Sequence, residues 1–147
     1  MFAIHHIKSS FAIVCLCLLS LSAYAEQKKQ LGDWEVHYIV FNSSFLAASV
    51  AQQYDIERSK RLAVVNISVL DSKQKLKPAL DTLVSGSAKN LIGQTQSLEF
   101  KKVQEGNAIY YISNMRFDDQ DLYTFNIEIG EGKQQQSFSF QQKLYVD

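Results

Sequence analysis

Past residue 25 this 147-residue chain has no cysteine. Its two cysteines, Cys15 and Cys17, sit together in an apolar run near the N-terminus. The segment 26–147 can therefore form no disulfide, no thiolate metal site and no cysteine nucleophile. Histidine is nearly as scarce. Of three in all, only His37 lies beyond residue 25, so a nucleophilic triad or a histidine-rich zinc site lacks its usual parts. An excess of charge of either sign is also missing, with 15 basic residues against 15 acidic ones. No global field draws the chain to nucleic acid or to anionic lipid. Nor is there a long hydrophobic run. Residues 11–19 (FAIVCLCLL) fall well short of the ~20 apolar residues a membrane-spanning helix needs.

What the first 25 residues do have is the order of an export signal. Residues 1–8 carry Lys8 and no acid, the apolar run follows, and 20–25 (SLSAYA) end in Ala23-Tyr24-Ala25. That order predicts a secretory signal cleaved after Ala25, leaving residues 26–147 as one domain with no integral membrane span. Cys15 and Cys17 follow the bulky Val14 and Leu16, which does not suit lipid attachment.

Residues 26–31 are polar and read as a frayed lead-in. Seven segments with a period of two follow, at 33–41, 61–70, 79–88, 97–103, 107–115, 122–129 and 137–146. They are rich in β-branched and aromatic residues and read as strands. Glu105-Gly106-Asn107 and Gly130-Glu131-Gly132-Lys133 are hairpin signals. Between the first two strands, residues 43–54 place Phe45, Leu46, Val50 and Tyr54 near helical spacing. This predicts a helix of about two turns, capped by Ser43 or Ser44 and covering an open end of the core. The fold class is all-β, a two-layer β-sandwich of immunoglobulin-like architecture with about seven strands and one short helix after the first. A partly open barrel is the alternative.

Few side chains offer chemistry. His37 lies in mid-strand, and no G-x-S-x-G elbow surrounds any serine. Gly86 in Ser85-Gly86-Ser87 reads as a bulge or a close backbone approach. Asp118-Asp119-Gln120-Asp121 lacks the calcium loop's glycine and closing glutamate. Lys73, Lys75 and Lys77 before Pro78 read as edge protection first and as an anionic glycolipid contact second. Arg58, Lys60 and Arg61 follow Asp55 and Glu57, which predicts local neutralisation rather than a phosphate site. Asn42 and Asn66 begin two Asn-x-Ser sequons. Tyr110 and Tyr111 point to opposite sheet faces, so a sheet with one buried face would present one of them outward. His37, Tyr110 and Tyr111 are the candidate ligand- or partner-binding residues; no catalytic, metal or cofactor-binding residue stands out.

Longer stretches carry a resemblance. Gly32-Asp33-Trp34-Glu35-Val36-His37-Tyr38, Phe41-Asn42-Ser43-Ser44-Phe45-Leu46, Arg58-Ser59-Lys60-Arg61 and Asn66-Ile67-Ser68-Val69 resemble a bacterial family, domain of unknown function 4426. Asn90-Leu91-Ile92-Gly93-Gln94, the run from Glu105 to Tyr111 and the closing Gln142-Lys143-Leu144-Tyr145-Val146-Asp147 fit the same pattern. Trp34 stands where the family is expected to carry tyrosine. The resemblance implies a short exported protein of Gram-negative proteobacteria with a periplasmic address, and it implies no activity and no catalytic residue. The first functional expectation is a non-catalytic binding or accessory module of the cell envelope, whose partner is an envelope protein, a glycan or a peptide. The alternatives are an enzyme using carboxylates such as Glu35 with His37, and a chaperone-like envelope component. No cofactor is expected.

Overall fold

Alternating apolar side chains along the strands close one core between two antiparallel sheets. In the computed structural model, residues 27–146 are described; the expected signal segment 1–25 and its cleavage point lie outside them. The strands are β1 (Gln27–Leu31), β2 (Trp34–Asn42), β3 (Leu62–Asp71), β4 (Val84–Asn90), β5 (Thr95–Leu98), β6 (Lys101–Glu105), β7 (Ala108–Arg116), β8 (Asp121–Ile129) and β9 (Gln136–Leu144). One sheet has the order β1-β2-β3-β7-β6 and the other β5-β4-β8-β9. The fold is the expected all-β sandwich, with nine strands among the described residues rather than about seven.

Three differences account for the count and the bounds. The lead-in forms β1 because its backbone pairs with β2, Lys29 opposite Val36 and Leu31 opposite Trp34. The single strand expected at 97–103 is two. It pairs with β4 up to Leu98, then crosses at Glu99-Phe100 and pairs with β7 in the other sheet, a bend that joins the two layers along one side. The strand expected from residue 79 begins at Val84. Residues 79–83 make only one bridge, Ala79 to Leu70, and the Tyr111 hydroxyl holds them by accepting from Thr82 N at 2.8 Å and donating to Leu80 O at 2.9 Å.

The inner face of β8 is a continuous buried row of Tyr123, Phe125, Ile127 and Ile129. Phe125 stacks on Phe140 of β9 with ring centroids 4.8 Å apart, and Phe140 meets Tyr38 of β2 at 4.4 Å. Rings from both sheets therefore interlock at the centre of the core. Gln142 adds a polar tie, donating to the Val40 carbonyl at 2.8 Å. Gly86 needs no unusual dihedral; a Cβ there would sit 2.6 Å from Asn126 O, so this is the close approach its position predicts.

The helix falls within the expected stretch, but its cap and its packing differ. Asn42, not a serine, caps a 3-10 turn over Ser43–Phe45 by accepting from Ser44 N, and helix α1 (Ala48–Gln53) has no side-chain cap. Ser43 is buried and bonds both backbone groups of Ser59. Instead of closing an end of the main core, this segment packs on the outer face of the five-stranded sheet. Ala51, Ile56 and Val64 form a second small core there, with Phe41, Leu46 and Ile112 against it.

Phe125 is fully buried within the ring stack. Phe125→Ala is expected to cost about 3–5 kcal/mol through lost transfer energy and a cavity. Urea unfolding checks this as a lowered midpoint at unchanged slope; an unchanged midpoint would mean that the stack contributes nothing.

Candidate functional site

The outer face of the five-stranded sheet carries both a polar cluster and an apolar groove. Side-chain alternation sets which residues share it. From β2 it takes Glu35, His37, Ile39 and Phe41; the register then places His37 opposite Ser68, Ile39 opposite Asn66 and Phe41 opposite Val64. Asn66 faces Ile112 of β7, and Tyr110 faces Val103 of the edge strand β6.

At the polar end, the Glu35 carboxylate accepts from Lys77 Nζ at 2.7 Å and is paired with His37 Nε2 at 2.8 Å; Lys28 Nζ lies 3.9 Å away. The glutamate side chain is only 12% exposed. The Lys77 and His37 hydrogen bonds, reinforced by the Lys28 charge and opposed by desolvation, lower its pKa from 4.5 to about 2. Such a carboxylate is a weak base at neutral pH, where general-base catalysis favours a pKa near the working pH. Its contacts join β1, β2 and the loop before Pro78. Lys73 in that loop pairs with Asp33 at 2.9 Å, so two of the three alternating lysines tie the loop down.

At the other end, α1 and the 3-10 turn roof part of the sheet and leave a groove of about 320 Å³. Its walls include Phe41, Leu46, Val50, Val64, Val103 and Ile112. Tyr110 lines it half-buried, and Asn66 lines it with a buried Oδ1 that has no hydrogen-bond partner. An uncompensated buried amide oxygen is costly. The soft terminal torsion of asparagine lets the amide turn toward an arriving donor. Glu105 is the one carboxylate in the lining.

Of the residues singled out in the sequence, His37 and Tyr110 share this outer face. Tyr111 does not. It is 3% exposed in the main core, its hydroxyl is engaged by residues 80–82, and burial raises its phenol pKa. Its placement leaves it no accessible surface for a partner. The serine-bearing sequons are also sequestered: Asn42 is buried, and Asn66 lies under the groove. Asn66 and the α1 roof were not identified as site elements from sequence. The available signal was an asparagine at mid-strand, where that residue is disfavoured.

Among the described residues no three His, Cys, Asp or Glu side chains converge as a metal-ligand set. Glu35 and His37 provide two donors, and lysines already hold the carboxylate.

Comparison with known proteins gives one family. The family described as "Domain of unknown function (DUF4426)" matches residues 28–147. The crystal structure of a DUF4426 family protein from Pseudomonas aeruginosa is similar at 37% identity and a TM-score of 0.72, over 83% of this chain and 96% of that one. A copper-bound variant of FetP from uropathogenic Escherichia coli is similar at 10% identity and a TM-score of 0.60, over 84% of this chain and 97% of that one. An as-isolated FetP, produced in the periplasm of E. coli, matches at 11% identity and a TM-score of 0.57, over 82% and 94%. The FetP likeness is one of fold. No curated protein matches the chain.

Because Glu35 has a lower pKa in the folded protein than its ordinary 4.5, its ionised form stabilises the fold above that value, and the contribution is lost as pH falls toward about 2. Urea unfolding across that window is expected to show the loss. Glu35→Gln should lower stability at neutral pH and flatten this part of the profile; a variant with the wild-type profile would remove the clamp from the account.

Proposed function

The chain belongs to the DUF4426 family, and from that footing we propose that it is an exported, periplasmic, non-catalytic module that binds an extended peptide segment of an envelope protein. The order of charge, apolar run and Ala23-Tyr24-Ala25 supports export. The periplasmic production of a protein with the same fold is consistent with that address.

The observation that carries the binding reading is the outer-face groove with its unpartnered Asn66 oxygen. Aliphatic and aromatic walls favour an apolar side chain over a sugar, which needs many polar partners. Asn66 suits a backbone N–H from the same segment. Glu105 favours a Lys or Arg next to the apolar residue. The groove reaches β6, which ends its sheet and has a strand neighbour on one side only. An extended peptide can pair with such an edge while placing alternate side chains over the groove.

The neighbour's copper does not transfer. Among the described residues Glu35 and His37 are the donors that meet, and lysines already hold the carboxylate, which does not fit that metal. The Glu35–His37 pair favours a structural clamp over acid–base chemistry because its carboxylate is so weakly basic.

A photo-crosslinking residue at Val50, on the groove wall and 37% exposed, should capture one recurrent envelope protein in living cells; the same residue at Glu128 on the opposite sheet should not. A synthetic peptide from the captured segment should bind the purified protein, and Tyr110→Ala should weaken it about thirtyfold if this aromatic is an anchor. A peptide that binds the folded variant as well as wild type would exclude the groove reading.

A further inference from the structure

The end of the sandwich at which β3 begins presents a second surface, separate from the groove. The β4–β5 connection is a tight turn closed by Gly93 N donating to Asn90 O at 3.1 Å and by Asn90 N donating to Gln94 O at 3.0 Å. The Asn90 side chain fixes it further, accepting from Gln94 N at 2.8 Å and donating to Gln94 Oε1 at 2.9 Å. Gly93 takes the left-handed conformation, φ +87°, required where such a turn re-enters the strand. The two corner positions of this rigid turn hold Leu91 and Ile92, 75% and 80% exposed. Turn corners ordinarily carry Gly, Pro, Asn, Asp or Ser. Two bulky apolar side chains held out on a convex tip break that local rule, as functional positions often do.

Behind the tip, Asn90 and Gln94 form part of a polar pocket of about 230 Å³ that also takes in Arg61 and Arg116. The β3–β7 register brings these arginines together, with Leu62 opposite Arg116 and Phe117 N donating to Arg61 O at 3.1 Å. Neither guanidinium has an ion-pair or hydrogen-bond partner among the described residues. Local neutralisation, the expectation for Arg61 from its neighbours Asp55 and Glu57, is not what the geometry gives. Asp118 is the one carboxylate lining the pocket.

We infer that this end docks on an anionic phospholipid surface, with Leu91 and Ile92 entering the acyl boundary and Arg61 and Arg116 receiving headgroup phosphates. A protruding apolar pair suits a fluid interface rather than a preformed cleft. Unpaired guanidiniums immediately behind it suit the phosphate layer. The attraction is local, so the chain's overall neutrality does not oppose it within a Debye length. This inference does not depend on the peptide reading of the groove.

Vesicle flotation tests it with the purified protein and two lipid compositions, phosphatidylethanolamine alone and phosphatidylethanolamine with phosphatidylglycerol. Wild type should float only with the anionic vesicles, and less so as salt is raised. The double variants Leu91→Ser with Ile92→Ser, and Arg61→Gln with Arg116→Gln, should each lower the bound fraction about tenfold at unchanged thermal unfolding. Wild-type protein that stays at the bottom with anionic vesicles would overturn the inference in favour of a protein surface as occupant. Flotation equal to wild type in either variant would overturn it too. If wild type stays at the bottom with anionic vesicles while inorganic phosphate still raises its thermal unfolding temperature, the pocket takes free phosphate and the membrane assignment fails.

Discussion

β3 has apolar side chains on both faces over its first half, and a strand of that kind has to be covered twice. Ala63, Val65, Ile67 and Val69 face the opposite sheet, where the Phe125 row meets them. Val64 faces the other way and needs a separate cover, which the 43–56 segment supplies through Ala51 and Ile56. Much else follows from that requirement. The 3-10 turn and α1 sit on the sheet rather than at its end, Ser43 is buried to tie the returning chain at Ser59, and the cover extends no further than its few residues allow. Tyr110 and Ile112 continue the apolar face beyond the roof, so the groove is the uncovered remainder of the second core.

The same face changes character along β2. Toward the start of the strand, Glu35 and His37 replace Ile39 and Phe41, and lysines from β1 and from the loop before Pro78 close around the carboxylate. A pair of acid and imidazole two residues apart invites a catalytic reading from sequence. Its surroundings favour fastening, because each added cation lowers the basicity that such chemistry needs. The polar cluster also covers the outer face without another apolar layer. It thereby leaves the groove as the part of this face where an apolar partner gains most from burial.

Period-two patterns made the inner faces legible. Val36, Phe125 and Ile127 each lie between polar neighbours and could be assigned to a core before any pairing was known. They also placed Tyr110 and Tyr111 on opposite faces, but not which one faced inward, because Ile109 and Ile112 flank them and both sides look apolar. Helical spacing in 43–54 showed that a helix exists there and was silent on what it packs against. The 97–103 run reads as one strand since Leu98 and Phe100 alternate up to the bend; its change of partner from β4 to β7 divides it. Asn66 and the convergence of Arg61 with Arg116 depend on register between strands far apart in sequence. A local pattern carries no information of that kind.

Both proposed surfaces lie toward the end where β3 begins, and their spacing constrains how they could work together. Arg61 immediately precedes β3, and Asn66 is five residues further along. At the rise of an extended strand that separation is about 17 Å. With Leu91 and Ile92 in a bilayer boundary, the groove would stand on the side wall of the sandwich, roughly that height above the phosphates. A peptide lying there would emerge from the aqueous side close to the membrane, within reach of a juxtamembrane segment but clear of the acyl layer. A sandwich without cysteine or a metal-ligand set among its described residues would thus use its turn and its groove to hold a partner segment at a fixed height.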